Sequence, residues 1–354
     1  MLHGRLADPD RSLATDPRAD PRMVAALAQL GLDKHQPPAP IAADSPLEQR
    51  REFLAGTEGA FGQLFSAFTD GLPPVEGVVR DTVTINGRDG NEITLRRHRP
   101  AASAGPLPCL VHLHGGGMGI MSAAAPSYQF IRDELAANGA VVLGVEFRNS
   151  AGALGPHPFP AGLNDCVAAV RWAGENLAEL GASHVVVTGE SGGGNYTLGC
   201  LLTAKREGWL DRIAGAYAQC PFISGTYVDL PEELPSLREN DNYFITNQLL
   251  AVLASTYDPT GEHAGDPLAW ALNTPVEELA GMPPHVISVN ELDPLRDEGL
   301  AYYRRLLAAG ASAVGRIVTG TVHGGDMLLA GAIPDVHRAS IDDVSAFARA
   351  VSGH

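Results

Sequence analysis

The sequence predicts an α/β chain in which a mostly parallel eight-stranded sheet is covered by helices on both faces. Three observations carry that expectation. From Cys109 onward, short and almost solidly apolar runs alternate with helix-like stretches, the pattern of strands buried on both faces. Ahead of them lies a segment of period two that reads as a hairpin at one edge. The 354 residues are 45% hydrophobic, enough for one large core, while 40 glycines and 26 prolines call for many tight turns.

Residues 1–75 read as a separate helical segment, ahead of a main domain over 76–354. A short helix spans Met23 to Leu30 and is followed by the proline-rich Gln36-Pro37-Pro38-Ala39-Pro40. A longer helix is expected from Ser45, with Pro46 at its first position and Glu48 completing a capping box. Its Leu47, Leu54, Phe61 and Phe68 recur every seven residues, joined by Phe53, Leu64 and Phe65, so it needs a surface to cover. A homodimer through this helix is one way to supply that surface.

The hairpin comes next, with Val83 and Ile85 alternating against Ile93 and Leu95 around Asn86-Gly87-Arg88-Asp89-Gly90. The solid strands are Cys109–Leu113, Ala140–Val145, Val185–Val187, Ile213–Tyr217, Val286–Val289 and Val314–Val318. Helices are expected near Tyr128–Ala137, Cys166–Leu180, Asn195–Arg206 and Glu298–Ala309. Residues 221–282 are too many for one crossover helix. They read as an insertion near the C-terminal ends of the strands, where ligand sites form.

Charge and composition exclude several classes. Lys+Arg number 25 against 41 Asp+Glu, a net −16, and the lysines are Lys34 and Lys205 alone. Such a surface repels phosphate backbones, so no nucleic-acid partner is expected. Cys109, Cys166, Cys200 and Cys220 lie singly in apolar segments without C-x-x-C spacing, which reads as buried free thiols in a reducing compartment. The first 22 residues lack the apolar core of a signal peptide. No window approaches about 18 consecutive apolar residues. A soluble, cytoplasmic chain without a membrane span is the expectation.

The chemistry lies at the strand ends. Gly189-Glu190-Ser191-Gly192-Gly193 fits G-x-S-x-G between a strand and a helix, a context that lifts a serine hydroxyl onto a sharp bend. A phosphate loop would need a following G-K-[ST], which is missing. His114-Gly115-Gly116-Gly117 ends another strand, and its glycines expose backbone N–H groups to a developing oxyanion. His112-Leu113-His114 taken alone is a metal pair, but no further ligands follow at zinc spacing. His112 reads as a core histidine and His114 as the anchor of the glycine loop.

A nucleophilic serine needs a base and an orienting acid, in chain order Ser, acid, His for this topology. Of His323, His337 and His354, His323 sits in the glycine-rich turn Thr319–Gly325 just past the last strand. Asp293 lies nearest the end of the preceding strand. Asp297 is the alternative acid, although a carboxylate in the first turn of a helix is expected for dipole reasons alone.

Together, His114–Gly117, Gly189–Gly193, Asp293–Glu298 and His323 resemble the hormone-sensitive-lipase-like family of bacterial carboxylesterases, as do Phe147-Arg148-Asn149 and His157-Pro158-Phe159-Pro160. The resemblance implies an α/β-hydrolase fold whose N-terminal helices, with the 221–282 insertion, cap the strand ends. It implies a Ser191, Asp293, His323 triad acting on small to medium esters or lactones. The amides of Gly116, Gly117 and Gly192 would hold the oxyanion, with His114 and Glu190 in support and no metal or organic cofactor. Amidase or acyltransferase chemistry on the same triad is the nearer alternative. A catalytically silent receptor is the more distant one. Two departures concern pocket shape: the family's G-D-S-A-G-G is here Gly-Glu-Ser-Gly-Gly-Gly, and the aromatic residue after its His-Gly pair is Gly325.

Overall fold

The computed structural model describes residues 3–351. Eight strands form one sheet: β1 (Val78–Asn86), β2 (Glu92–Pro100), β3 (Leu107–Leu113), β4 (Val141–Glu146), β5 (Ala182–Glu190), β6 (Ile213–Gln219), β7 (His285–Asn290) and β8 (Ala313–Val318). Their spatial order is β1-β2-β4-β3-β5-β6-β7-β8. The β1–β2 hairpin pairs Val83 with Leu95 and Ile85 with Ile93 and lies at one edge as expected, with β2 antiparallel to β4. Every other pair is parallel. From β3 the chain first visits β4 on one side and then returns to β5 on the other. The carboxyl ends of β3 and β5 therefore flank the crevice where open α/β sheets bind ligands.

The helices are α1 (Pro21–Ala28), α2 (Leu47–Thr69), α3 (Pro126–Ala137), α4 (Ala161–Glu175), α5 (Gly192–Glu207), α6 (Asn247–Tyr257), α7 (Arg296–Ala308) and α8 (Pro334–Ala350), with several single turns between them. Helices α3 and α8 pack together on one face of the sheet, and α4 and α5 on the other. The central strands β3 to β7 are almost wholly buried, as their solid apolar runs require.

Two local expectations are corrected. The long helix begins at Leu47 with an extended Pro46 before it and no side-chain cap. The Ser45 hydroxyl instead accepts the Ala42 N–H at 3.1 Å, closing the preceding turn, while Glu48 pairs with Arg51 at 2.7 Å. The stretch Cys166–Leu180 is not one helix. It breaks at Asn176, whose side chain donates to the Trp172 carbonyl at 2.8 Å and so ends α4. No helix among the described residues is long and apolar enough to cross a membrane.

Candidate active site

Ser191 follows β5 at φ 56°, ψ −118°, and the next residue opens α5. A non-glycine residue in the left-handed region is strained, and the surroundings hold it there. The Ser191 N–H donates to the Gln219 carbonyl at 2.9 Å, and its own carbonyl accepts from Asn195 and Phe222. The elbow also fixes its neighbours as glycine. A Cβ at Gly193 would overlap the Leu113 carbonyl oxygen, and one at Gly189 would lie 2.5 Å from the Gly193 carbonyl oxygen.

The glycine loop after β3 lies against this elbow. Gly116, at φ 108°, has no room for a Cβ beside the Ile120 carbonyl. Its own carbonyl accepts the N–H groups of Gly119 and Ile120 at 3.1 Å each. A Cβ on Gly192 would fall 2.9 Å from the Gly117 nitrogen, so the amide-bearing backbones of the two loops are in contact. His114 is fully buried. Its Nδ1–H donates to the Gly115 carbonyl at 2.7 Å, and its ring stacks on Phe147 at 4.1 Å. Burial drives its pKa down to about 4, so it stands neutral, as an anchor of the loop should. His112 points its Nε2 at Glu190 Oε2, 3.0 Å away. Glu190 thus braces the elbow from within the core while lining the cavity beside Ser191.

The loops after β7 and β8 bring the remaining groups. His323 Nδ1–H donates to Asp293 Oδ2 at 2.8 Å, and Asp293 is wholly buried. The other carboxylate oxygen accepts the Leu295 N–H at 2.9 Å. Burial opposes a charge on His323, yet the facing Asp293 carboxylate raises its pKa well above the ordinary 6.5. Asn290 staples the two loops together. It donates to Thr321 Oγ1 and Asp326 Oδ1 at 2.8 Å and accepts the Gly324 N–H at 3.0 Å. Asp297 faces elsewhere, accepting the Ser236 N–H at 2.7 Å and the Arg296 guanidinium at 3.0 Å. His337 serves helix packing, bonding the Asp326 carbonyl and Glu134, and His354 lies outside the described residues.

Ser191 and His323 open onto one cavity of about 60 Å³. No hydrogen bond joins them among the described residues. Phe61 and Phe65 of α2 and Leu249, Leu250 and Leu253 of α6 form the opposite wall. Helices α2 and α6 therefore meet across the cavity from Ser191.

Sequence reasoning missed three contributors. Cys220 follows β6 and lines the same cavity, although its apolar flanks read as core. Its place at the C-terminal end of a central strand was the available signal. Glu298 is a fully buried carboxyl that accepts the Ile223 N–H at 2.8 Å and the Tyr227 hydroxyl at 3.0 Å, and burial pushes its pKa up to about 8. Arg18 pairs with Glu239 and donates to Asn240 Oδ1 at 3.1 Å, while the Asn240 amide donates to the Asp293 carbonyl at 3.0 Å. No local pattern announces a contact between residues more than 200 positions apart.

A family model described as the alpha/beta hydrolase fold matches residues 110–326. The chain belongs to that family, and within it to the carboxylesterases. Among solved structures, brefeldin A esterase, a bacterial homologue of human hormone-sensitive lipase, is similar with a TM-score of 0.97 and 46% identity, over 99% of both chains. Esterase Est22 is similar at 0.86 and 36% identity, over 96% of this chain and 99% of that one. Carboxylesterase NlhH of Mycobacterium tuberculosis is 34% identical over 236 residues, 64% of this chain and 69% of that protein.

Proposed function

We propose that this chain hydrolyses small to medium carboxylic esters, lactones among them, through an acyl-enzyme on Ser191. The observation that carries the proposal is the cavity shared by Ser191, on its strained elbow, and His323, hydrogen-bonded to a buried Asp293. His323 Nε2 takes the Ser191 proton as the hydroxyl attacks the carbonyl carbon. Asp293 keeps the other proton on Nδ1 and stabilises the imidazolium. Charge moves onto the carbonyl oxygen, and the amides of Gly116, Gly117 and Gly192 receive it. Each such donor contributes about 3 kcal/mol in comparable sites. His323 then returns its proton to the leaving alcohol and activates the water that releases the acid. His114 and Glu190 support this by holding the glycine loop and the elbow.

Residues 1–75 and the 221–282 insertion act as the cap of a catalytic domain over 76–354. The apolar wall that they supply selects acyl or alcohol groups by size. Free cysteines support work in a reducing compartment, the cytoplasm. The test is a serine-directed organophosphonate, combined with a hydrolysis screen of aryl esters of rising acyl length, lactones and amides. Stoichiometric labelling of Ser191 with loss of ester hydrolysis is expected. Full activity with Ser191 unlabelled would overturn the reading, and faster turnover of amides would move the chain to the amidases.

A further inference from the structure

We propose that Cys220, His323 and Asp293 form a binding site for a thiophilic divalent cation such as zinc, and that the bound cation switches the catalytic centre off.

Cys220 leaves β6 at φ 35°, its N–H donating to the Ser288 carbonyl at 2.7 Å. That bond fixes the residue between the ends of β6 and β7, directly beside the loop that carries Asp293. One ligand atom each from Cys220, Asp293 and His323 lie within 4.8 Å of one another, and no other trio of this kind occurs among the described residues. Around a tetrahedral zinc with ordinary bond lengths, such atoms stand about 3.3–3.6 Å apart. The gap closes with side-chain movements of roughly 1 Å. Cys220 and His323 both line the cavity, so an ion entering by the substrate's route meets the sulfur and the ring directly. Cys109, Cys166 and Cys200 are buried and line no part of that cavity.

The donor set decides the ion. Thiolate, imidazole and carboxylate suit zinc and its softer congeners, whereas magnesium and calcium require oxygen ligands. Three protein ligands leave a fourth position for a water molecule. On binding, S–Zn, N–Zn and O–Zn bonds replace metal-bound waters, and the thiol proton passes to solvent. The ring nitrogen that shares the site with Asp293 is Nδ1, 2.8 Å from its Oδ2, and metal there removes the base. On Nδ1 it forces the remaining ring proton onto Nε2, turning an acceptor into a donor. The effect on rate rests on the reading of His323 as base, whereas occupancy of the site does not.

Ester hydrolysis is therefore measured against zinc concentration in the full-length protein and in Cys220→Ser, each relative to its own metal-free rate. Inhibition of the unmodified protein is expected, reversed by EDTA and not produced by magnesium or calcium at equal concentration. In C220S the zinc concentration that halves the rate should rise about tenfold or more. Equal inhibition of both proteins, or none in either, overturns the proposal. Cobalt added to Ser191→Ala reports occupancy without turnover. A thiolate-to-cobalt charge-transfer band that disappears in S191A/C220S is expected, and its absence from S191A overturns the site even if the esterase reading fails.

Discussion

Around Ser191 the chain offers mostly backbone: Gly115, Gly116 and Gly117 from one loop and Gly192 from the elbow, fixed by contacts that leave no space for a Cβ at Gly116 or Gly193. Across the same cavity stand Phe61 and Phe65 from α2 and Leu249 and Leu253 from α6, large side chains from segments about 190 residues apart in sequence. Polar donors at the floor must be placed to a fraction of an ångström, because hydrogen bonds to a developing charge weaken steeply with misalignment. Dispersion and burial at the roof tolerate exchange among apolar residues of similar volume. On the proposed function, the floor governs the chemistry and the roof governs which substrates reach it.

The sharpest way to break that division is at the buried acid. Asp293→Asn preserves volume but removes the charge that fixes the His323 tautomer, so kcat should fall about 10⁴-fold, as in the serine-protease triad. Asp297→Asn should keep turnover and weaken only the Ser236 turn and the start of α7, worth roughly 0.3–1 kcal/mol. The reverse pattern in folded, purified variants would transfer the acid role to Asp297. At the roof, Phe65→Ala should cost about 3–5 kcal/mol of stability, because the ring is nearly buried against Phe61, Phe68 and Tyr128. Its kcat/KM ratio for long over short acyl esters should shift about tenfold, a scale set by the binding energy of a methylene or two. Unchanged selectivity, with half the native mass by light scattering, would instead make α2 a dimer helix.

The two regions also differed in how far the sequence revealed them. Every floor residue but Cys220 stands in a local motif: a glycine run after a solid apolar strand, a serine between strand and helix, an acid and a histidine just past the last two strands. Steric demand writes itself into sequence there, since only glycine fits at Gly193 or Gly116. At the roof, the seven-residue spacing of Leu54, Phe61 and Phe68 announced an amphipathic helix but not its partner. The contact with α6 depends on tertiary packing that no local period encodes. The same holds for Arg18 and Glu239, and for the capping at Ser45, where the preceding turn from Ala42 takes the hydroxyl from the helix. Cys220 escaped because its apolar neighbours match those of any core thiol.

A smaller effect separates floor from roof by pH. The carboxylate facing His323 holds the imidazole's pKa above 6.5, and only the neutral ring can accept the Ser191 proton. The acid limb of kcat/KM should therefore have an apparent pKa above 6.5, falling about tenfold per unit below it. The long-to-short acyl preference set by the roof should stay constant across that limb, because Phe61, Phe65 and the leucines carry no titrating group. A preference that changes along the limb would mean that the roof moves with the charge of His323.

The smallest expected effect concerns Glu298, which holds the segment running from Cys220 at the floor into the insertion that builds the roof. Its carboxyl is fully buried, and burial raises its pKa from 4.5 to about 8. Folding therefore takes up a proton at this site between those two values, and the stability gained from the neutral carboxyl is lost progressively as pH rises through that window. Glu298→Gln keeps the shape and both contacts: its carbonyl can accept the Ile223 N–H and its amide can donate to the Tyr227 oxygen. The variant carries no proton linkage. Its melting temperature relative to the unmodified protein should thus be lowest near pH 5, rise steadily toward pH 8 and level off beyond, by at most a few kcal/mol of stability. An offset that stays flat over that range would mean that Glu298 is ionised in the folded protein. The 221–227 segment would then be held by a buried charge.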